Sequence, residues 1–211
     1  MARVLIATPS MGTVRAEYVD SLLKLDMRGH ECFYSSISNS LVYEARNQLV
    51  LDAIKRECKY ILFLDSDMTF PPDTLTRLVA DAEEGHAALV SGLTFTRVFP
   101  IKPTILKHLD YKDATIHEAK PYTDYPKDRL FEIWGAGMAV CLVDVDAITR
   151  VAARYKCSPF APLPGMSEDY SLCWRLREMG LYMYCDSRVK TGHVGTLVFD
   201  EELYLKQRKS E

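Results

Sequence analysis

A chain of 211 residues, 48% apolar and 26% charged, has the make-up of an ordinary soluble globular protein and is long enough for one domain with a substantial core. Its net charge of −3 gives no overall attraction to nucleic acid or to a membrane surface, and no apolar run approaches the roughly 20 residues that cross a bilayer. The six cysteines are scattered without a Cys-x-x-Cys pair, which reads as reduced core thiols of a cytoplasmic protein and not as a zinc site or disulfide framework.

The first predicted element is a strand over Arg3 to Thr8, ended by Pro9; the N-terminal residues run into it without the layout of a signal peptide. Val14, Tyr18, Leu22 and Leu25 recur at helical spacing, so 14–28 reads as a helix closed by Gly29. A strand follows at Glu31 to Ser36, then a helix over Val42 to Cys58 with Ala45, Leu49, Ala53 and Ile54 on one face. Tyr60 to Leu64 is a short continuous apolar run, the mark of a strand buried on both faces. A helix from about Pro72 to Glu84 opens on prolines and stops at Gly85, and Ala87 to Ser91 is another buried strand. This β-α-β-α-β-α-β order predicts an α/β fold, a mostly parallel central sheet flanked by helices. Leu93 to Arg129 is polar, aromatic and dotted with proline, long enough to expect a lid, a binding loop or a small second sub-sheet around the active site. Beyond it, an apolar stretch at Leu130 to Val143 is broken by Gly135-Ala136-Gly137. Helices are expected at Asp144 to Tyr155 and Glu168 to Met179, strands at Leu181 to Cys185 and Arg188 to Thr191, and a surface helix at Phe199 to Lys209.

Four groups of residues carry chemistry. Asp65-Ser66-Asp67 follows the Tyr60 strand at the sheet edge where ligands bind in open α/β folds, and two hard acids there suit a divalent cation on phosphate oxygens. The bland reading of the same acids is an acidic turn capping the helix that follows Pro71-Pro72, and both readings can hold at once. Ser167-Glu168-Asp169 opens a helix, where acids are ordinary capping residues; a carboxylate there can equally point into the crevice as a general base. Thr191-Gly192-His193-Val194-Gly195-Thr196 sets one histidine between glycines after a strand, a further metal ligand or a structural hydrogen-bonding residue. Trp134-Gly135-Ala136-Gly137 permits close approach of the backbone to a ligand, or marks a bulge between core strands.

In this order the motifs resemble those of GT-A-fold glycosyltransferases of the family-two-like group. The strand ending Ala7-Thr8-Pro9 resembles the nucleotide-base loop, and Tyr43-Glu44-Ala45-Arg46-Asn47 the helix start that precedes the metal motif. Phe63 to Asp67 matches the Asp-x-Asp motif, and Glu168-Asp169 resembles the pair whose Asp is the base in inverting members. The resemblance implies a GT-A-type single domain, with 1–92 the nucleotide- and metal-binding half and 93–211 the acceptor-side half. It implies Mn²⁺ or Mg²⁺ on Asp67, His193 and Asp65; a UDP- or GDP-sugar donor contacting Thr8, Pro9, Ser10, Arg46, Asp65, Ser66, Gly135, Ala136 and Gly137; and Asp169 and Glu168 as catalytic acids. The acceptor is open among a glycan, a small molecule, a protein and a modified nucleobase in DNA. Thr8-Pro9-Ser10-Met11-Gly12 departs from the Pro-x-Tyr-Asn usual in the base loop, and the Gln-x-x-Arg-Trp of processive synthases is absent. Two other readings compete. Asp65-Ser66-Asp67-Met68-Thr69 resembles the first motif of haloacid-dehalogenase-type phosphatases, though strands and helices precede it here, and a nucleotidyltransferase could use the same acids. The third reading is a non-catalytic sugar-nucleotide-binding module.

Overall fold

The computed structural model describes residues 1–195 and 198–209; Thr196, at the end of the histidine motif, lies outside them. The first half alternates β1 (Arg3–Ser10), α1 (Ala16–Leu23), β2 (Glu31–Ser38), α2 (Val42–Lys55), β3 (Tyr60–Leu64), the short β4 (Met68–Thr69), α3 (Thr74–Glu84) and β5 (Leu89–Leu93). The second half supplies β6 (Ile105–Lys112), β7 (Thr115–Pro121), β8 (Leu130–Glu132), β9 (Gly135–Ala136), β10 (Val140–Asp144), α4 (Val145–Tyr155), α5 (Glu168–Glu178), β11 (Met183–Lys190), β12 (Gly192–Val194), β13 (Val198–Phe199) and α6 (Glu201–Arg208).

Among the described residues, seven strands form one sheet in the order β2-β1-β3-β10-β5-β11-β8. β1 pairs in parallel with β2 and β3, and β5 with β11, while β10 runs antiparallel between β3 and β5 and β8 antiparallel on β11. The sheet is therefore mostly parallel, as its sequence pattern predicts. Two three-stranded sheets, β13-β12-β4 and β7-β6-β9, complete the strands. The 93–129 stretch thus contains a hairpin, β6 with β7, tied to the body through β9.

Side-chain alternation along the strands builds a core on each face of the large sheet. Leu5, Ala7, Ile61 and Phe63 point to one side, where α2, α4 and α5 bring Leu49, Ile148, Val151 and Leu172. Val4, Ile6, Leu62 and Leu64 point to the other, onto Tyr18 of α1 and Leu75 and Leu78 of α3. The Phe63 ring meets Phe160 edge-on, with centroids 5.3 Å apart.

Four features differ from expectation. β1 continues through Pro9 to Ser10, because its register with β3 ends at Ala7 and Pro9 pairs only with β2, where a missing N–H costs no ladder bond on the open side. α1 stops at Leu23, and the chain turns so that Asp26 N donates to Pro72 O at 2.8 Å. Ile54 of α2 is 42% exposed, off the core face. The two strands expected after Gly180 are one, β11, whose register with β5 shifts between Asp186 and Lys190.

Candidate active site

The Asp65–Asp67 turn leaves β3 and is fixed by its backbone. Asp65 N donates to Ala139 O at 2.8 Å, Met68 N to Asp65 O at 3.1 Å, and Val194 N to Asp67 O at 2.8 Å. The β4–β12 ladder sets His193 opposite Met68, so a residue distant in sequence arrives beside Asp67. Gly192 makes this possible: a Cβ there would meet Val198 Cγ1 at 2.5 Å and Thr69 Oγ1 at 2.6 Å, so a side chain would force β12 away from β4.

His193 Nε2 lies 3.4 Å from Asp67 Oδ2, and its Nδ1 is 3.0 Å from the Phe95 carbonyl oxygen, which can only accept. Nδ1 therefore carries a hydrogen, and Nε2 is the nitrogen presented to Asp67. Arg97 Nη1 donates to the same Asp67 oxygen at 2.5 Å. Burial works to raise the Asp67 pKa, but the hydrogen bond and charge of His193 and the charge of Arg97 hold it below the usual carboxylate value. Burial likewise works to lower the His193 pKa, and its bonds to Asp67 and the Phe95 carbonyl leave it raised.

Asp65 does something else. Both its oxygens accept from Arg46 Nη2, at 2.9 and 3.1 Å, while Arg46 Nη1 donates to Glu168 Oε1. Arg46 is 3% exposed. Its burial opposes the charge, and the acids Asp65, Glu168 and Asp169 around it more than restore it. Burial raises the Glu168 pKa above the ordinary value, with Arg46 opposing. Asp169, one residue into α5, accepts at Oδ1 from the Ser167 hydroxyl and from Tyr170 N at 2.7 Å. Its Oδ2 faces Gly137, where a Cβ would stand 3.8 Å away.

A crevice of about 240 Å³ opens at this end of the sheet, lined by Pro9, Ser10, Ser66, Asp65, Asp67 and His193 among others. Arg97, Met11 and Val42 also line it; Met11 lies in the Thr8–Gly12 base loop, and Arg97 comes from the polar stretch after Leu93 that is expected to bind or cover a ligand. Four of the residues expected at the donor have other neighbours in the structure. Thr8 is fully buried and its hydroxyl bonds Tyr18 Oη, so it clamps β1 to α1. Arg46 bonds two carboxylates, Asp65 and Glu168. Gly135 and Ala136 are buried against Leu106, Tyr170 and Cys173, and only Gly137 of that run comes close to a carboxylate of the site.

The donor set suits a divalent cation: a carboxylate oxygen and an imidazole nitrogen a few ångströms apart, with the histidine oriented by a backbone carbonyl. Asp67 and His193 are two such side chains; among the described residues no group of three His, Cys, Asp or Glu side chains gathers to hold an ion. All six cysteines are free thiols, and among the described residues no helix is long and apolar enough to cross a membrane.

Comparison with known proteins adds the family. No curated protein sequence matches the chain. Among solved structures, A197 from STIV superposes with a TM-score of 0.64 at 18% identity, over 92% of this chain and 86% of that one. GalNAc-T7, crystallised with UDP, GalNAc and Mn²⁺, superposes with a TM-score of 0.56 at 10% identity, over 93% of this chain and 44% of its own length. These likenesses establish a shared GT-A fold. The sequence profile of glycosyl transferase family 2 matches residues 16–141, from α1 through the Asp65–Asp67 turn into β10. With more than half of its length matched, the chain belongs to glycosyl transferase family 2 and is a GT-A-fold glycosyltransferase.

Proposed function

We propose that the protein moves a sugar from a nucleoside-diphosphate donor, a UDP- or GDP-sugar, to an acceptor hydroxyl, with Mn²⁺ or Mg²⁺ held by Asp67 and His193. The observation that carries this reading is the meeting of Asp67 Oδ2 and His193 Nε2 at the mouth of a crevice that Pro9, Ser10 and Ser66 also line. When bound, the cation supplies a Lewis acid for charge developing on the leaving diphosphate. Ser10, Ser66 and Met11 line the space for the nucleotide. Asp169 takes the proton of the acceptor hydroxyl at Oδ2 as that oxygen attacks the anomeric carbon; its Oδ1 is already spent on Ser167 and Tyr170, which fixes the direction of the carboxylate. Arg46 is a positioning residue: one guanidinium ties Asp65, ahead of the metal-side acid, to Glu168, ahead of the base. Gly137 keeps Oδ2 uncovered. A reducing cytoplasm suits the free cysteines of this enzyme.

The test is product identity together with two controls. A panel of nucleotide sugars, with and without Mn²⁺, should yield nucleoside diphosphate from one donor; inorganic phosphate from a phosphomonoester would indicate the phosphatase chemistry instead. Asp169→Asn should lower turnover by about 10²–10⁴-fold with nucleotide affinity retained. Wild-type turnover in that variant removes Asp169 as the base, and full activity in excess chelator removes the metal.

A further inference from the structure

Asp67 Oδ2 has two partners, Arg97 Nη1 at 2.5 Å and His193 Nε2 at 3.4 Å. Both are governed by one segment between β5 and β6, which supplies Arg97 itself and the Phe95 carbonyl that orients His193. The base of this segment is pinned. Thr94 and Thr104 join through their hydroxyls, Phe95 bridges Pro103, and Thr96 N donates to Lys102 O at 2.9 Å. Ile101 N donates to Gln207 Oε1 of α6 at 2.7 Å. The tip is open: Val98 and Phe99 are 64% and 62% exposed, and the Arg97 side chain is 50% exposed. A long arginine on a fixed base can leave Asp67 by side-chain rotation while Phe95 goes on holding the histidine.

We infer that Arg97 is a displaceable occupant of the cation position, pairing with Asp67 while the crevice holds no donor and passing to the donor's diphosphate oxygens when Asp67 and His193 take the divalent cation. The inference rests on the metal role proposed above. Its chemistry is an exchange of one oxyanion partner for another. Guanidinium binds carboxylate and phosphate with the same planar fork, so the arginine moves between them without leaving a charge unpaired. Arg97 and the cation thus compete when no nucleotide is present and act together when it is.

Mn²⁺ binding, read by electron paramagnetic resonance on the full chain, separates these roles. Wild type, Arg97→Ala, Arg97→Lys and Asp67→Asn are titrated with Mn²⁺ alone and with UDP or GDP. Arg97→Ala should bind Mn²⁺ alone about two- to five-fold more tightly, the worth of a half-exposed ion pair. At saturating Mn²⁺ it should bind the nucleoside diphosphate roughly ten-fold more weakly, the loss of a charged hydrogen bond. Arg97→Lys, which keeps the charge, should fall between. Equal or weaker Mn²⁺ affinity in Arg97→Ala overturns the exchange role. If Asp67→Asn abolishes Mn²⁺ binding while Arg97→Ala leaves it unchanged, the cation assignment stands and the exchange alone fails. If Asp67→Asn binds Mn²⁺ like wild type, both fall.

Discussion

Arg46 holds two acids together from inside the protein, and the energetics of that position are steep. A guanidinium with almost no exposure, bonded to Asp65 and Glu168, is stable only because both carboxylates neutralise it. Removing it leaves two acids facing a buried gap. Arg46→Gln should therefore lower the unfolding free energy by about 3–5 kcal/mol, as breaking a buried ion pair does, and denaturant titration would read it. Lysine should rescue little, because one ammonium cannot address Asp65 through Nη2 and Glu168 through Nη1 at once. An Arg46→Gln protein as stable as wild type would mean that the two acids find other partners. The sequence marks Arg46 only as a residue at a familiar place in a helix, and so a donor contact is the natural reading. What sets its direction is Glu168, which lies 122 residues further along the chain. His193 is legible for the opposite reason: flanking glycines are a local signal, and Gly192 is required by the contacts of β12 with Thr69 and Val198.

At the scale of elements, β1, β3 and β5 are readable because each is a bounded apolar run, whereas the two-residue β4 carries no signal and β10 is not placed by any local pattern. It enters antiparallel between β3 and β5, and nothing in Val140–Asp144 distinguishes that from a parallel neighbour. The junction of α3 with β11 was likewise invisible. There Arg188 donates from Nη2 to Asp81 Oδ1 and from Nε to Asp186 Oδ1, each at 2.8 Å. The second oxygens, Asp81 Oδ2 and Asp186 Oδ2, are buried without a hydrogen-bond partner among the described residues. A proton on Asp81 supplies the missing donor. Burial, then the hydrogen bond and charge of Asp186, push the Asp81 pKa up from 3.8 to about 7, while the bonds to Arg188 and Asp81 keep Asp186 low against its own burial. The sign follows from proton counting. Between pH 3.8 and about 7 the folded chain holds a proton that the unfolded chain has lost, so this site stabilises the fold at low pH and the contribution fades as pH rises through that window. Asp81→Asn, which donates a hydrogen bond at every pH, should remove the slope and stabilise the protein at pH 8 relative to wild type. Thermal melts from pH 5 to pH 8 would show it; an unchanged slope in the variant would place the titration elsewhere.

Taken whole, the molecule brings both halves of the chain to one crevice. β10 completes the central sheet from the second half, and His193 and Arg97 complete the crevice begun by Asp67. What does stand apart is the β6–β7 hairpin. Among the described residues β7 pairs only with β6 and is exposed along nearly all its length, and the apolar cluster beneath, Leu106, Leu109, Tyr111 and Met166, is small beside the two cores of the sheet. Amides protected by few buried contacts open locally at low cost. Hydrogen exchange should therefore be slowest in β1, β3, β10 and β5 and fastest in β7. Mn²⁺ with the cognate nucleotide sugar should slow exchange at 9–12, 65–68 and 94–103, the segments that line the crevice or carry Arg97, and leave 106–120 unchanged. Only a cognate acceptor should then slow the hairpin, since β9 connects it to Gly137 and so to the uncovered oxygen of Asp169. Protection of 106–120 by the donor alone would make the hairpin part of the donor site, and the acceptor would have to enter from another side of Asp169.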